Sequence, residues 1–69
     1  MINARELLGN AHYQFIKGIE GVSIDEFGLE SQDKTHIYIT SYISVKSISK
    51  SVVSTLNPRT SKITHKVVK

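Results

Sequence analysis

Residues 35–69 have the sequence THIYITSYISVKSISKSVVSTLNPRTSKITHKVVK, and this half of the chain decides the fold. It holds seven of the nine serines and all five threonines, interleaved with isoleucine and valine. Hydroxyl and β-branched side chains in alternation favour strands over helices. In residues 35–40 the isoleucines, Ile37 and Ile39, occupy every second position. This alternation predicts a strand with one apolar face.

Residues 41–56 fit two patterns. Apolar residues three or four positions apart form a helical stripe, which consists of Tyr42, Val45, Ile48, Val52 and Leu56. In contrast, Ile43 and Val45 alternate as in a strand, and the surrounding serines compete with the backbone hydrogen bonds of a helix. We predict strand for this segment and keep helix as the alternative.

The tail offers the same choice. Asn57-Pro58-Arg59-Thr60 is typical of a turn, because proline fixes φ at the second position, and residues 51–56 and 61–68 then form a hairpin. Alternatively, Asn57 caps a helix that begins at Pro58. Residues 44–69 would then form a DNA-binding helix-turn-helix with residues 58–69 as the recognition helix. The threonine, valine and isoleucine content favours the hairpin.

The first half of the chain begins with a predicted short helix over residues 3–11. Its apolar face consists of Ala4, Leu7, Leu8 and Ala11. Asn3 is a candidate N-cap, and Glu6 three residues later completes a capping box. From His12 the pattern changes to period two, which predicts strand.

Two interruptions divide the strand pattern of the first half. Glu20-Gly21 predicts a tight turn. The alternation loses its phase at Asp25-Glu26, and together with Gly28 this indicates a bulge or a bend.

These elements combine to an α+β fold that is mostly β. We predict a short N-terminal helix followed by about five antiparallel strands in a small barrel or strongly bent sheet. Residues 1–69 form a single small domain, with the helix over about 3–11 and the strand region over about 12–68. A chain of 69 residues buries only about 60% of its unfolded surface, and without cysteine no disulfide stabilises it. We therefore expect a homo-oligomer, in a location compatible with the cytoplasm.

The patterns of enzymes, cofactor sites and membrane proteins are missing from the sequence. No apolar run reaches the ~18–20 residues that span a membrane, and no signal-peptide pattern opens the chain. The glycines match neither a P-loop nor a dinucleotide fingerprint, and no G-x-S-x-G occurs. His12, His36 and His65 lack the short spacing of zinc ligands and are expected to be partly exposed strand residues. We predict a non-catalytic protein without metal, cofactor or membrane contact.

Charge divides the chain into two opposite halves. Residues 1–34 carry three bases and six acids, a balance of −3, whereas residues 35–69 carry six bases and no acid, a balance of +6. The six bases are Lys46, Lys50, Arg59, Lys62, Lys66 and Lys69. On a hairpin, Lys62 and Lys66 would share one face with Thr64. On a helix, Lys62 and Lys66 would lie on one side with Arg59, so either fold predicts a basic stripe.

A basic stripe binds RNA or DNA through counterion release, and Tyr38 and Tyr42 near it are candidates for stacking on unpaired bases. We therefore predict a small binding or regulatory module with a basic C-terminal surface for nucleic acid. An alternative is a protein-interaction module, such as an inhibitor, adaptor or assembly subunit, that pairs with an acidic partner or with the acidic half of another copy. A third interpretation is a solvated face that keeps strands from aggregating.

Residues 17–30 have the sequence KGIEGVSIDEFGLE, a glycine followed by alternating hydrophobic residues, an aspartate and further hydrophobic residues. This stretch, with residues 31–38 and the following YISVKSIS, resembles the Sm-like family of SH3-like small β-barrels, in particular its Hfq-like members. The resemblance covers about half of the chain and implies a barrel whose copies pair through their edge strands. The Tyr-Lys-His signature associated with RNA binding in that family is absent, and Tyr42-Ile43-Ser44 stands nearby.

Overall fold

A computed structural model describes residues 4–68 as one helix followed by four strands. The helix α1 spans Ala4–Lys17, and the strands are β1 (Val22–Gln32), β2 (Ile37–Val45), β3 (Ile48–Asn57) and β4 (Lys62–Val68). Neighbouring strands pair antiparallel in the order β1-β2-β3-β4, so β1 and β4 are the edges of the sheet. The helix packs on one face of this sheet.

The prediction of a helix followed by a mostly β domain is confirmed, but the finer architecture differs. The described residues form four strands rather than five, in an open sheet that is not closed into a barrel. The strand predicted from His12 is wrong, because α1 does not end at residue 11 but continues to Lys17. Leu8, His12 and Ile16 recur every four residues and are fully buried, as expected for the inner face of a helix. The predicted cap Asn3 lies outside the described residues.

The core between α1 and the sheet consists of two apolar clusters separated by a polar layer. Each cluster takes one buried residue from α1, one from β2 and one from β3: Leu8, Ile39 and Leu56 in the first, and Ile16, Ile43 and Val52 in the second. The polar layer follows the same rule and consists of His12, Ser41 and Ser54. The same three elements therefore meet at three successive levels, which fixes the position of α1 over the sheet.

The hairpin predicted at residues 57–60 is confirmed. The N–H of Ser61 donates to the carbonyl of Asn57 at 2.7 Å, and the Asn57 side-chain oxygen accepts from the N–H of Arg59 at 3.0 Å. Pairing between β3 and β4 then runs without a shift. This pairing excludes the helix-turn-helix alternative for residues 44–69.

The turn between β2 and β3 has no conventional sequence signal. Only Lys46 and Ser47 connect the two strands, and both have positive φ, of 52° and 67°. Two-residue hairpins require this backbone and usually obtain it from Asn-Gly or Asp-Gly. Because neither residue is of that kind, the sequence left residues 41–56 ambiguous between strand and helix.

Replacing Ser47 by glycine is expected to raise the free energy of unfolding by up to about 1 kcal/mol. A left-handed backbone costs a non-glycine residue about 1–2 kcal/mol, which exceeds the added chain entropy that glycine loses on folding. Urea unfolding followed by circular dichroism measures the change. The matched control is Ser49→Gly in β3, which lacks a positive φ and is expected to lose stability. Equal effects at the two serines would contradict the turn geometry.

The bend predicted at Asp25-Glu26 is confirmed as a pair of bulges in β1. Its register with β2 shifts between Ile24 and Glu26 and again between Glu26 and Leu29, where Gly28 has a φ of 86°. Bulges make an edge strand a poor template for further pairing. The two edges of the sheet therefore differ, since β1 is bulged and β4 is regular.

Candidate nucleic-acid interface

The sheet presents to solvent the face that points away from α1. On β2, the buried residues Ile39, Ser41 and Ile43 point toward the helix, so the residues between them point away. Cross-strand pairing extends this second face over β3 and β4. We call it the open face, and its central rows are Tyr38 with Thr55 and Thr64, Thr40 with Val53 and Lys66, and Tyr42 with Ser51 and Val68. None of these side chains is buried.

Half of the predicted site residues meet on the open face. They are Tyr38, Tyr42, Lys62 and Lys66. Lys66 lies in the row between those of Tyr42 and Tyr38, two strands away from the tyrosines. Lys62 lies opposite Asn57, in the row beyond that of Tyr38. Aromatic rings and ammonium groups therefore share one surface, as the alternation at Lys62 and Lys66 predicts.

The remaining predicted site residues lie elsewhere, so the continuous stripe of six bases is wrong. Lys50 pairs with Ile43 and therefore lies on the helix side of β3. Lys46 and Arg59 lie in the two hairpin turns, where the chain leaves the sheet. Lys69 lies outside the described residues. Successive side chains of a strand point to opposite faces, so Lys50 lies on the face opposite to that of its neighbour Ser51.

Tyr42 is the more accessible of the two tyrosines on the open face. Its side chain is 45% exposed near the middle of β2, with Ser51 on one side and Glu26 on the other. A ring held by a central strand and open to solvent on one side is a stacking platform.

Tyr38 is held in place by the loop that precedes β2. Its hydroxyl donates to Asp33 Oδ2 at 2.6 Å, and the N–H groups of Thr35 and His36 both donate to Asp33 Oδ1 at 2.8 Å. The hydrogen bond from Tyr38, followed by these two backbone N–H groups, holds the pKa of the Asp33 carboxyl well below its usual range. The same hydrogen bond raises the pKa of Tyr38. The ring of Tyr38 is thereby oriented before any ligand arrives.

Charge on the open face changes sign from β1 to β4. At the β1 side Glu26 lies opposite Tyr42, and Asp25 accepts a hydrogen bond from the hydroxyl of Ser44 at 2.7 Å. At the β4 side Lys62 and Lys66 project from a strand that contains no acid. The opposition between the halves of the sequence is therefore also an opposition between the two edges of the sheet. A polyanion is attracted to the half formed by β3 and β4.

A shallow hollow of about 170 Å³ opens at one end of this basic half, and each of its lining residues has a polar group in its side chain. The lining residues are His36, Thr55, Asn57, Lys62 and Thr64. A second hollow, of about 200 Å³, lies near the β1 edge and has Arg5 and Glu30 in its lining, where Arg5 donates to the side chain of Gln32. The hollow on the open face differs from it because no carboxylate lines it.

On the other side of the sheet, the polar layer of the core forms a chain of hydrogen bonds. His12 Nε2 lies 2.7 Å from Ser41 Oγ, and His12 Nδ1 lies 2.6 Å from Ser54 Oγ. Ser54 Oγ also lies 2.6 Å from His65 Nδ1, and Ser41 Oγ accepts from the N–H of Gly28 at 3.2 Å. The chain therefore connects the bulge in β1 to the edge strand β4 through the middle of the core.

The hydrogen atoms of this chain can be assigned by counting donors. The N–H of Gly28 is a donor, so among the contacts of Ser41 Oγ in residues 4–68 His12 Nε2 is the group that can accept its hydrogen. Neutral His12 then donates from Nδ1 to Ser54, and Ser54 donates to His65 Nδ1. Every buried polar side-chain atom among the described residues has a partner in this way. His12, Ser41 and Ser54 are closed to solvent, and their hydrogen bonds join α1 to β2 and β3.

Protonation is disfavoured at the two histidines of this hydrogen-bond chain, His12 and His65. Burial, and then the charge of His65, lower the pKa of His12, and burial lowers the pKa of His65. The prediction of partly exposed strand histidines is wrong for His12, which is fully buried on α1. The rings pack against aromatic neighbours: His65 stacks on Phe15 at 4.5 Å between centroids, and Phe27 lies 5.5 Å from His12.

Within residues 4–68, no three histidine or acidic side chains are grouped so that they could hold a metal ion. The one helix of this part of the chain is too short to cross a membrane. No protein-family model, no curated protein and no solved structure matches the chain, so nothing in these comparisons bears on the Sm-like resemblance.

Proposed function

We propose that this protein is a small non-catalytic module that binds single-stranded nucleic acid on the open face of its sheet. The observation that carries the proposal is the grouping of exposed Tyr42 and oriented Tyr38 with Lys62 and Lys66 on a face that α1 leaves uncovered. A base stacks on each tyrosine, and the lysines contact the phosphates that follow.

The dimensions of the sheet suit this arrangement. Tyr38 and Tyr42 are four residues apart on one strand, which separates their rings by about 13 Å. Lys66 is two strands from Thr40, which is about 9.5 Å at the usual strand spacing. A strand of nucleic acid can therefore stack on the tyrosines while its backbone runs over β4. Tyrosine rings exposed on a sheet face can stack on bases only where those bases are unpaired, so single strands are the better ligand.

Replacing Tyr42 by alanine is expected to weaken binding of a short single-stranded RNA or DNA by about 5- to 150-fold. This range corresponds to the loss of one base stack, worth about 1–3 kcal/mol. Fluorescence anisotropy of a labelled oligonucleotide measures it. Tyr42→Phe keeps the ring and is expected to keep most of the affinity. An equal loss in both variants would mean that the hydroxyl, rather than stacking, carries the contact.

Replacing Lys66 by alanine is expected to weaken binding of all sequences to a similar extent. The slope of log K against log salt should fall by about 0.7, the value for one phosphate contact on a single strand. The matched control is Lys50→Ala, which removes the same charge from the helix side of the sheet. If the two variants change the salt slope equally, binding follows net charge and the open face is not the site.

A second candidate function is a protein-interaction module, and the β4 edge favours it. This strand pairs with β3 without a bulge, has no strand on its outer side among the described residues, and carries Lys62 and Lys66. Such an edge accepts an extended acidic segment as an added strand. The acidic half of another copy could supply such a segment through residues outside the bulged part of β1, which would give a homo-oligomer. A complex that survives nuclease treatment supports this candidate over nucleic acid.

A further inference from the structure

We propose that the hollow on the open face is a binding site for a phosphate group. The inference rests on the proposed function, because it identifies which part of the nucleic acid the end of the sheet recognises. The phosphate site also has a test of its own, since inorganic phosphate can be titrated without any nucleic acid.

The hollow is built from two adjacent cross-strand pairs. Thr55 lies opposite Thr64, and Asn57 lies opposite Lys62, on neighbouring positions of β3 and β4 that share the open face. His36 closes the side toward β2. The positions of these groups are fixed by the register of a hairpin rather than by a loose loop, so the donors are held close together in advance.

The side chains of this site are hydrogen-bond donors without a competing partner. Within residues 4–68, the hydroxyls of Thr55 and Thr64 and the ammonium of Lys62 make no side-chain hydrogen bond with the protein. The oxygen of the Asn57 amide accepts from the N–H of Arg59, which leaves its NH₂ group to donate elsewhere. Two hydroxyls, one amide and one ammonium around one small space match the oxygens of a phosphate.

Among residues 4–68, no carboxylate lines this hollow. Asp33 is engaged by Tyr38, Thr35 and His36 and does not line the hollow. By contrast, the hollow near the β1 edge contains Glu30, which repels an anion. The chemistry therefore favours an anion on the open face. A space of about 170 Å³ is also large enough to admit the group with part of its hydration shell.

The hollow covers two rows of the open face, the row that Tyr38 shares with Thr55 and Thr64 and the next row, with Asn57 and Lys62. A nucleotide whose base stacks on Tyr38 can thus place its own or a neighbouring phosphate against Lys62. The nucleic-acid strand then runs along the sheet, with one of its phosphates fixed near Lys62, the first residue of β4.

The test titrates ¹⁵N-labelled protein with inorganic phosphate, with a hexauridine that lacks terminal phosphates, and with the same hexamer carrying a 5′-phosphate. We expect inorganic phosphate alone to shift the amide signals of Thr55, Asn57 and Thr64 in a saturable way. Thr64→Val and Lys62→Ala are expected to weaken this response at least about fivefold, whereas Lys50→Ala, which removes a charge from the helix side of the sheet, leaves it unchanged. A stronger binding of the 5′-phosphorylated hexamer assigns the site to a strand end, and equal binding of the hexamers assigns it to an internal phosphate.

The proposal is overturned if inorganic phosphate shifts none of these signals, or if Lys62→Ala and Lys50→Ala reduce the response equally. A nucleobase in the hollow would show itself as hexamer-induced shifts at Thr55 and Thr64 without any response to inorganic phosphate, and this also overturns the proposal. Binding of the hexamer with no phosphate response leaves the proposed function intact and rejects only the phosphate site. A phosphate response without hexamer binding rejects the proposed function instead.

Discussion

Replacing His12 by alanine is expected to destabilise the domain by at least about 3 kcal/mol. The variant loses a fully buried ring that packs near Phe27, and it leaves Ser41 without an acceptor for its hydrogen and Ser54 without a donor. Large-to-small changes in a core cost about 2–5 kcal/mol, and each orphaned buried polar group adds about 1–3. A chain of this size has about 3–10 kcal/mol in total, so a large part of the population should be unfolded. Thermal and urea unfolding by circular dichroism measure the loss.

A triple variant separates packing from hydrogen bonding in this prediction. His12→Leu combined with Ser41→Ala and Ser54→Ala refills the space and removes both hydroxyls that contact the ring. The N–H of Gly28 and Nδ1 of His65 then lose their serine partners. Replacing both partners of a buried hydrogen bond by apolar groups costs little, so the triple variant should recover part of the stability that His12→Ala loses. If His12→Ala alone proves as stable as the unmodified protein, the polar layer does not hold α1 on the sheet.

Acidification is expected to produce the second largest effect. Because His12 and His65 have a lowered pKa in the folded state, the unfolded chain binds more protons than the folded one below about pH 6.5. Stability is therefore complete above that pH and falls as the pH drops toward the pKa of the folded state. The slope is at most about 1.4 kcal/mol per pH unit for each histidine. Urea unfolding at pH 7.5, 6.0 and 5.0 gives the profile.

The triple variant is also the control for the pH profile, because it lacks His12. Its stability should change less between pH 7.5 and pH 5.0. Asp33 acts in a different window, since its lowered pKa contributes stability above about pH 4 that is lost only at lower pH. An unchanged slope in the triple variant would show that groups outside the polar layer cause the acid sensitivity.

The second half of the fold could be predicted from the sequence, and the first half only in part. Asn57 and Pro58 mark the β3–β4 turn by residue types with a fixed conformational preference. Residues 12–17 carry a period of two and a period of four at once, and the choice is made by the packing of Ile16 against Ile43 and Val52, which lie far along the chain. Because residues 12–17 belong to α1, the described residues form four strands in an open sheet rather than the five of the predicted barrel.

The candidate site shows the same limit. The alternation of Lys62, Thr64 and Lys66 is local and is confirmed as one face of β4. Their approach to Tyr42 depends on the two-residue turn at Lys46 and Ser47, because this turn sets the register between β2 and β3. That turn contains no glycine or asparagine, the residues that usually indicate a two-residue hairpin turn. The polar layer was missed for a related reason, since its partners on α1, β2 and β3 are joined by no local pattern.

The most direct measurement is the affinity of the unmodified protein for a labelled single-stranded RNA and a single-stranded DNA, each titrated at salt concentrations from about 25 to 200 mM. Binding through Lys62 and Lys66 predicts a slope of log K against log salt of about −1.4, together with a salt-independent part from stacking on the tyrosines. The absence of binding to either strand at micromolar protein and low salt would contradict the proposed function.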